Sequence, residues 1–115
     1  MEASNLQNVI EEARTGRGVE IADAHNLQQV ILAAAAQGLM AIRVEVSEKQ
    51  GDLLRPRPDL LLYGLYYEAE IQAASPIERI RLTSQAVDEM LALATREDAT
   101  FQFELWLDEA ADETP

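Results

Sequence analysis

The chain has 115 residues, of which 48% are hydrophobic, and a formal net charge of -12 at pH 7. This length is typical of one domain with a single hydrophobic core. There is no cysteine, which excludes disulfides, thiolate nucleophiles and cysteine-ligated zinc. We predict one domain over residues 1–109, followed by a frayed acidic tail over 110–115.

The charge is unevenly distributed along the chain. Acidic residues outnumber basic ones by 21 to 9, and seven of them lie between Glu97 and Pro115, where no basic residue occurs. A field of this sign repels nucleic acid and anionic membranes, so we predict no direct binding to either. The simplest interpretation is that acidic side chains keep the protein in solution. The functional interpretation is that they attract a basic protein partner.

The first residues and the uncharged stretch predict a cytoplasmic location. Residues 1–5 lack the basic start and apolar run of a signal peptide. The longest uncharged stretch, 26–42, is too short and too polar to span a bilayer.

Two helices are predicted in the first third of the chain. Ser4 is expected to cap a helix that ends at Gly16, and residues 18–21 alternate as a short strand. Asp23 is expected to cap a second helix that ends at Gly38.

Two half-buried strands and one long helix are predicted from local patterns. Apolar and polar residues alternate over 41–47 and again over 100–107. Ser75, Pro76 and Glu78 have the spacing of a helix start with a capping box. That helix should run towards Thr95 and bury an apolar face: Ile77, Ile80, Val87, Leu91 and Ala94.

The middle of the chain is ambiguous. Residues 48–59 are predicted to form a long connector, because Pro56 and Pro58 are incompatible with a helix interior or a central strand. Residues 60–74 are rich in Leu and Tyr, which favours a β-hairpin. A helix through 68–72 is the alternative.

Two architectures fit this order of elements. One is a βαββαβ split sheet over 19–108 with an added N-terminal helix. The other is an antiparallel sheet of the 41–47 strand, a hairpin in 60–74 and the 100–107 strand. Either way the predicted class is α+β, with a small, mostly antiparallel sheet, helices packed on one face and an N-terminal helix.

From Asn26 onward the chain has a characteristic order of motifs: Leu27–Leu32, Gly38, Ala41–Val46, Leu65–Ala73, Ala86–Leu93 and the closing Phe101-Gln102-Phe103-Glu104. This order resembles the PATAN domain family over roughly residues 26–107. The resemblance implies a non-catalytic interaction domain of bacterial signalling systems. It supplies no catalytic residues and no cofactor.

No catalytic constellation is visible in the sequence. His25 is the only histidine, and it lies in the first turn of a predicted helix. The adjacent carboxylates Glu11-Glu12 and Asp108-Glu109 lie in polar contexts, unlike a catalytic pair with one buried member. The stretch Gly16-Arg17-Gly18 lacks the Lys-Ser/Thr of a phosphate loop, and no calcium loop is present. We therefore predict no enzymatic activity, no cofactor and no metal site.

A binding surface is the more specific expectation. Trp106 falls on the polar side of its strand, and an exposed tryptophan is a favoured interface anchor. If residues 60–74 are extended, Tyr63 and Tyr67 share a strand face. Arg55 and Arg57 form a local basic patch on the proline-stiffened connector. The predicted partner-binding residues are Trp106, Glu104, Tyr63, Tyr67, Arg55 and Arg57.

The predicted function is a non-enzymatic protein–protein interaction module in bacterial signalling or regulation. The sheet face that bears Trp106 is expected to form a homodimer or to hold a protein partner. The alternative is a small acidic inhibitor, a nucleic-acid mimic or an immunity or antitoxin protein, that binds a basic protein. Steep weakening by salt would favour the alternative.

Overall fold

The computed structural model describes residues 2–111 and shows an α+β fold, as predicted. The helices are α1 Ala3–Ala13, α2 Ala24–Ala36, α3 Ala69–Ala73 and α4 Pro76–Ala94. The strands are β1 Val19–Ile21, β2 Leu39–Gln50, β3 Leu53–Pro56 and β4 Thr100–Glu109. Two 3-10 turns, Pro58–Leu60 and Leu65–Tyr67, lie in the segment between β3 and α3.

The four strands form one antiparallel sheet in the order β1-β4-β2-β3. Alternation along β2 and β4 points one set of apolar side chains towards the helices. The three longer helices contribute to one core cluster with those side chains, so they pack on the same face of the sheet. Representative members of that cluster are Ile10, Leu27, Val44, Val87, Phe103 and Leu105.

Local capping signals placed two of the helices correctly. The Asp23 carboxylate accepts a hydrogen bond from the Asn26 backbone N–H at 2.8 Å, and α2 begins there. The Ser75 hydroxyl accepts one from the Glu78 backbone N–H at 3.3 Å, at the start of α4. The Glu78 carboxylate accepts from Arg81 instead of completing the capping box.

The start of α1 differs from the prediction. This helix begins at Ala3 and its N-cap is Glu2, with no side-chain cap, so Ser4 lies inside the first turn. The predicted stop at Gly16 is consistent with its φ of 88°, a conformation that glycine adopts without strain.

The predicted connector over 48–59 is wrong in its first part. β2 continues to Gln50, turns at Gly51, where φ is 62°, and returns as β3. This hairpin pairs Ser47 with Pro56 and Gln50 with Leu53. Pro56 is compatible with this position because β3 is an edge strand, which has one row of backbone groups that needs no sheet partner.

The hairpin predicted over 60–74 is also wrong, and the alternative helix is present as α3. The only ladder contact in this segment is a bridge between Leu62 and Val44, with N–O distances of 2.9 and 3.0 Å. Gly64 then turns the chain with a φ of 70°. Residues 68–72 contain Glu, Ala and Gln, whose helical propensity outweighs the preference of the preceding tyrosines for strands.

The buried face of α4 is partly polar. Ile77, predicted to be buried, is 79% exposed, whereas Arg79 is buried. The Arg79 guanidinium donates to the backbone carbonyls of Ile71 at 2.9 Å, Gln72 at 2.8 Å and Ala110 at 3.0 Å. One side chain therefore joins α4 to α3 and to the end of β4.

The packed structure continues into the predicted tail. Ala110 is buried, and its backbone N–H donates to the Gly38 carbonyl at 3.0 Å. Ala111 is exposed, and the rest of that prediction falls on residues 112–115, which lie outside the described residues. Within residues 2–111, no helix has the length and apolar character that crossing a membrane requires.

Candidate partner-binding face

A β-bulge in β2 organises the sheet face that points away from the three longer helices. Ala41 pairs with Leu107 and Arg43 pairs with Trp106, so Ile42 is an extra residue without a partner. In such a bulge two residues of one strand oppose a single residue of the other. We call this face the open face and define it by six of its outward side chains: Glu20, Arg43, Glu45, Glu104, Trp106 and Asp108.

An arginine lies between two aromatic rings at the centre of the open face. The Arg43 guanidinium carbon is 4.9 Å from the centroid of the Trp106 ring and 5.3 Å from that of Tyr63. Arg43 Nη2 donates to Glu45 Oε1 at 2.5 Å. Its Nε is the one buried side-chain nitrogen or oxygen, among residues 2–111, that lacks a hydrogen-bond partner. Trp106 is half-buried by these neighbours, so its ring is held in place on this face.

Gly18 fixes the other side of the tryptophan. A Cβ atom at this position would lie 2.4 Å from the Trp106 ring and 2.5 Å from a Glu104 carboxylate oxygen. Such distances are far below van der Waals contact. The sequence suggested only a helix stop for the Gly16–Gly18 stretch, but a side chain at Gly18 would collide with Trp106 and Glu104, because the backbone passes close to the open face.

Three carboxylates lie in register across three strands. Glu20 of β1 is opposite Glu104 of β4, and Glu104 is opposite Glu45 of β2. Burial, a hydrogen bond with Glu45 and the negative charges of Glu45 and Glu20 raise the pKa of Glu104, and the charge of Arg43 opposes this shift. We call these three residues the carboxylate row.

A pocket of about 410 Å³ adjoins Arg43. We call it the tyrosine pocket; its lining is Ile42, Arg43, Tyr63, Gly64, Tyr66, Tyr67 and Asp108. Tyr66 and Tyr67 meet edge to face with centroids 6.0 Å apart. The two predicted tyrosines do come together here, although their segment is a turn and not a strand. Tyr63 is 70% exposed and Tyr67 is 80% exposed.

The two predicted arginines lie elsewhere. Arg57 forms ion pairs with Glu48 at 2.8 Å, Asp59 at 2.8 Å and Glu97 at 2.7 Å. Hydrogen bonds to Asp59 and Glu97 raise the pKa of its guanidinium above the usual range. Its guanidinium also lies 5.5 Å from the Phe101 ring centroid. The charge of Arg57 is therefore balanced by carboxylates of the same molecule.

Arg55 is exposed on β3, opposite Glu48. The residue that Arg57 stacks on, Phe101, precedes Trp106 by five positions in β4. At about 3.3 Å per residue, this separates the two by roughly 17 Å. The structure thus brings together four of the six predicted binding residues, Trp106, Glu104, Tyr63 and Tyr67, and places the arginines at the other end of the sheet.

The candidate catalytic groups have no supporting geometry among residues 2–111. His25 is exposed at the start of α2, and the adjacent carboxylates Glu11-Glu12 and Asp108-Glu109 are exposed as well. No group of three or more His, Asp or Glu side chains in this part of the chain has the arrangement of a metal site.

The open face carries negative charge beside fixed aromatic rings, an arrangement suited to binding cations.

The PATAN resemblance remains a prediction. No family model, no curated protein and no solved structure matches this chain.

Proposed function

We propose that the protein is a non-enzymatic interaction module that binds a basic segment of a protein partner on its open face. The observation that carries this proposal is the carboxylate row beside a tryptophan that is stacked on Arg43. The resemblance to PATAN domains supports a role in bacterial signalling, as the setting of the interaction.

The carboxylate row is costly for the isolated protein. Like charges directly opposite each other in adjacent strands destabilise a sheet. Arg43 forms an ion pair with Glu45, but no ion pair within residues 2–111 involves Glu20 or Glu104. A lysine or arginine from a partner would therefore gain attraction and relieve the repulsion within the row.

Trp106 contributes apolar contact at the same place. The stacked Arg43 and the backbone near Gly18 hold its ring. A side chain that is already ordered loses little conformational entropy when a partner covers it, which is favourable for affinity.

The charge of the open face favours binding to a different protein over association with a second copy of this chain. Two copies related by a two-fold axis would bring the same carboxylate row to both sides of the interface. Like charges facing each other across an interface cost several kcal/mol.

An acidic inhibitor of a basic protein would use the same carboxylates, so salt dependence separates the two functions. Binding that depends mostly on charge weakens steeply with salt, whereas binding anchored by Trp106 retains an apolar component. We expect moderate weakening between low and physiological salt.

The test begins with cross-linking capture from the native host at two salt concentrations, followed by reconstitution with the purified partner. Replacement Trp106→Ala should weaken binding at least tenfold, which corresponds to about 1.4 kcal/mol. Glu104→Gln should weaken binding while leaving the fold intact. Glu12→Gln, an equal charge change at an exposed position of α1, is the matched control and should leave affinity unchanged.

Thermal melting of each variant separates lost binding from lost folding. Unchanged affinity in both open-face variants would overturn the proposal. So would a concentration-dependent homodimer that Trp106→Ala disrupts in the absence of any basic partner.

A further inference from the structure

We infer that the tyrosine pocket receives one arginine side chain of the partner. This rests on the proposed function and specifies which side chain of a basic segment is recognised. The pocket adjoins the carboxylate row through Arg43, which pairs with Glu45.

The lining of the pocket suits a side chain with a planar charged end. Its volume of about 410 Å³ lies at the lower end of the range for ligand-binding pockets, about 300–1,000 Å³. Exposed tyrosine rings form much of the wall. The face of such a ring attracts a cation within about 6 Å of its centroid.

Asp108 supplies a carboxylate to the same pocket. It is exposed, and among the ion pairs of residues 2–111 none involves it. Its Oδ1 accepts a hydrogen bond from the Glu109 backbone N–H at 2.8 Å, which orients the group. A guanidinium within the pocket would thus have an aromatic face and a carboxylate, the two partners that arginine prefers.

The open face already holds one guanidinium in this way. Arg43 stacks between Tyr63 and Trp106 and pairs with Glu45. Its charge does not convert the pocket into an anion site, because Glu45 accepts from its Nη2 and the Asp108 carboxylate lines the same pocket. Counting Arg43, Glu45 and Asp108 together leaves one negative charge at the pocket.

Arginine is favoured over lysine because of its shape and hydration. A guanidinium is planar, stacks on aromatic rings and is less strongly hydrated than an ammonium group. Burying it between tyrosines therefore costs less desolvation.

The experiment titrates the whole protein with small blocked amino acids and follows the tyrosine ring signals by NMR. The probes are N-acetyl-arginine methylamide, its lysine counterpart, and the citrulline counterpart, which is a neutral isostere of arginine. We expect arginine to bind at least fivefold more tightly than lysine and citrulline to give no saturable shift.

Variants locate the binding to the pocket. Tyr67→Ala and Asp108→Asn should each weaken arginine binding at least threefold, whereas Tyr67→Phe should retain it because the ring face remains. Glu109→Gln, the same charge change one residue away, is the matched control. Equal shifts with arginine and citrulline, or arginine binding insensitive to Tyr67→Ala, would overturn the inference.

The two proposals fail differently. If the basic partner binds and depends on Glu104 and Trp106 but not on Tyr67 or Asp108, the pocket inference is wrong and the proposed function stands. If none of these four positions affects partner binding, both are wrong.

Discussion

Glu104 shows how a single carboxyl group can oppose folding and still suit the proposed binding face. It faces a glutamate on each side, and the pKa of its carboxyl group is raised above the ordinary value of 4.5, first by burial and then by Glu45 and Glu20. The folded protein therefore holds this proton more tightly than the unfolded chain does. Its contribution to stability falls as pH rises from 4.5 through the raised pKa.

Replacement Glu104→Gln should consequently stabilise the protein at pH 7. The amide removes one charge from the carboxylate row and can donate to Glu45 at every pH, so we expect a gain of up to about 1 kcal/mol. The difference from the unmodified protein should shrink as pH falls towards 4.5. Urea denaturation at a series of pH values measures it, and a variant less stable at pH 7 than the original would contradict the explanation.

Gly18 is the residue where a single methyl group should have a large effect. The Cβ of Gly18→Ala would meet the Trp106 ring and the Glu104 carboxylate, and overpacking of this kind costs about 1–3 kcal/mol. In a Trp106→Ala background the same substitution should cost less, because the ring is absent. A double-mutant cycle by urea denaturation measures this coupling, and strictly additive losses would show that the two residues are independent.

At the scale of residues, the sequence predicts which face of a strand a side chain lies on better than it predicts which other residues that side chain contacts. Alternation in the 100–107 segment correctly placed Trp106 and Glu104 on the polar face, because the period of a strand is a local property. The roles of Arg43, Glu20 and Gly18 depend on strand register and on a close backbone approach. Both involve residues far apart in sequence, so no local pattern could reveal them.

At the scale of elements, Arg79 links α4 to α3 and to the residue after β4. It is buried, and its donors reach three backbone carbonyls in α3 and after β4. Removing the guanidinium takes this donor away from the Gln72 and Ala110 carbonyls, the second of which lies in a buried bond.

Replacement Arg79→Ala should destabilise the protein by about 3 kcal/mol, because several charge-assisted hydrogen bonds are lost together. Arg81→Ala, two residues further along α4, removes an exposed ion pair with Glu78 and should have no measurable effect. Urea denaturation compares the two variants, and amide exchange should show lost protection in α3. Equal stability of the two variants would contradict the role of Arg79.

The elements that the sequence predicted correctly carry their own local signals. Asp23 and Ser75 mark helix starts through hydrogen bonds to backbone groups three residues away. Residues 48–67 lack such capping signals, and their structure depends on pairing with β2. The edge strand at 53–56 tolerates proline, and the tyrosines of 63–67 serve the pocket instead of a strand.

At the scale of the whole molecule, the fold determines where the side chains behind the net charge of -12 lie, which composition alone does not show. The α+β class followed from the order of elements, because short alternating segments and capped helices identify themselves. The strand order β1-β4-β2-β3 could not be predicted in this way, because it depends on the two strands between which β4 inserts. That insertion is what places Glu104 between Glu20 and Glu45 and so creates the carboxylate row.

Because Ile42 is the extra residue of the bulge, deleting it should alter the tyrosine pocket and leave the strand pairing of the sheet intact. Without Ile42 the neighbours Ala41 and Arg43 would still pair with Leu107 and Trp106 in an unbroken ladder, and the inward and outward alternation would be preserved. Deleting an ordinary strand residue instead inverts every side chain beyond it. We expect the deletion variant to retain a native circular dichroism spectrum and cooperative melting while losing arginine binding in the tyrosine pocket. Ile42 would then be a residue that the chain retains for its binding surface and could omit from its fold.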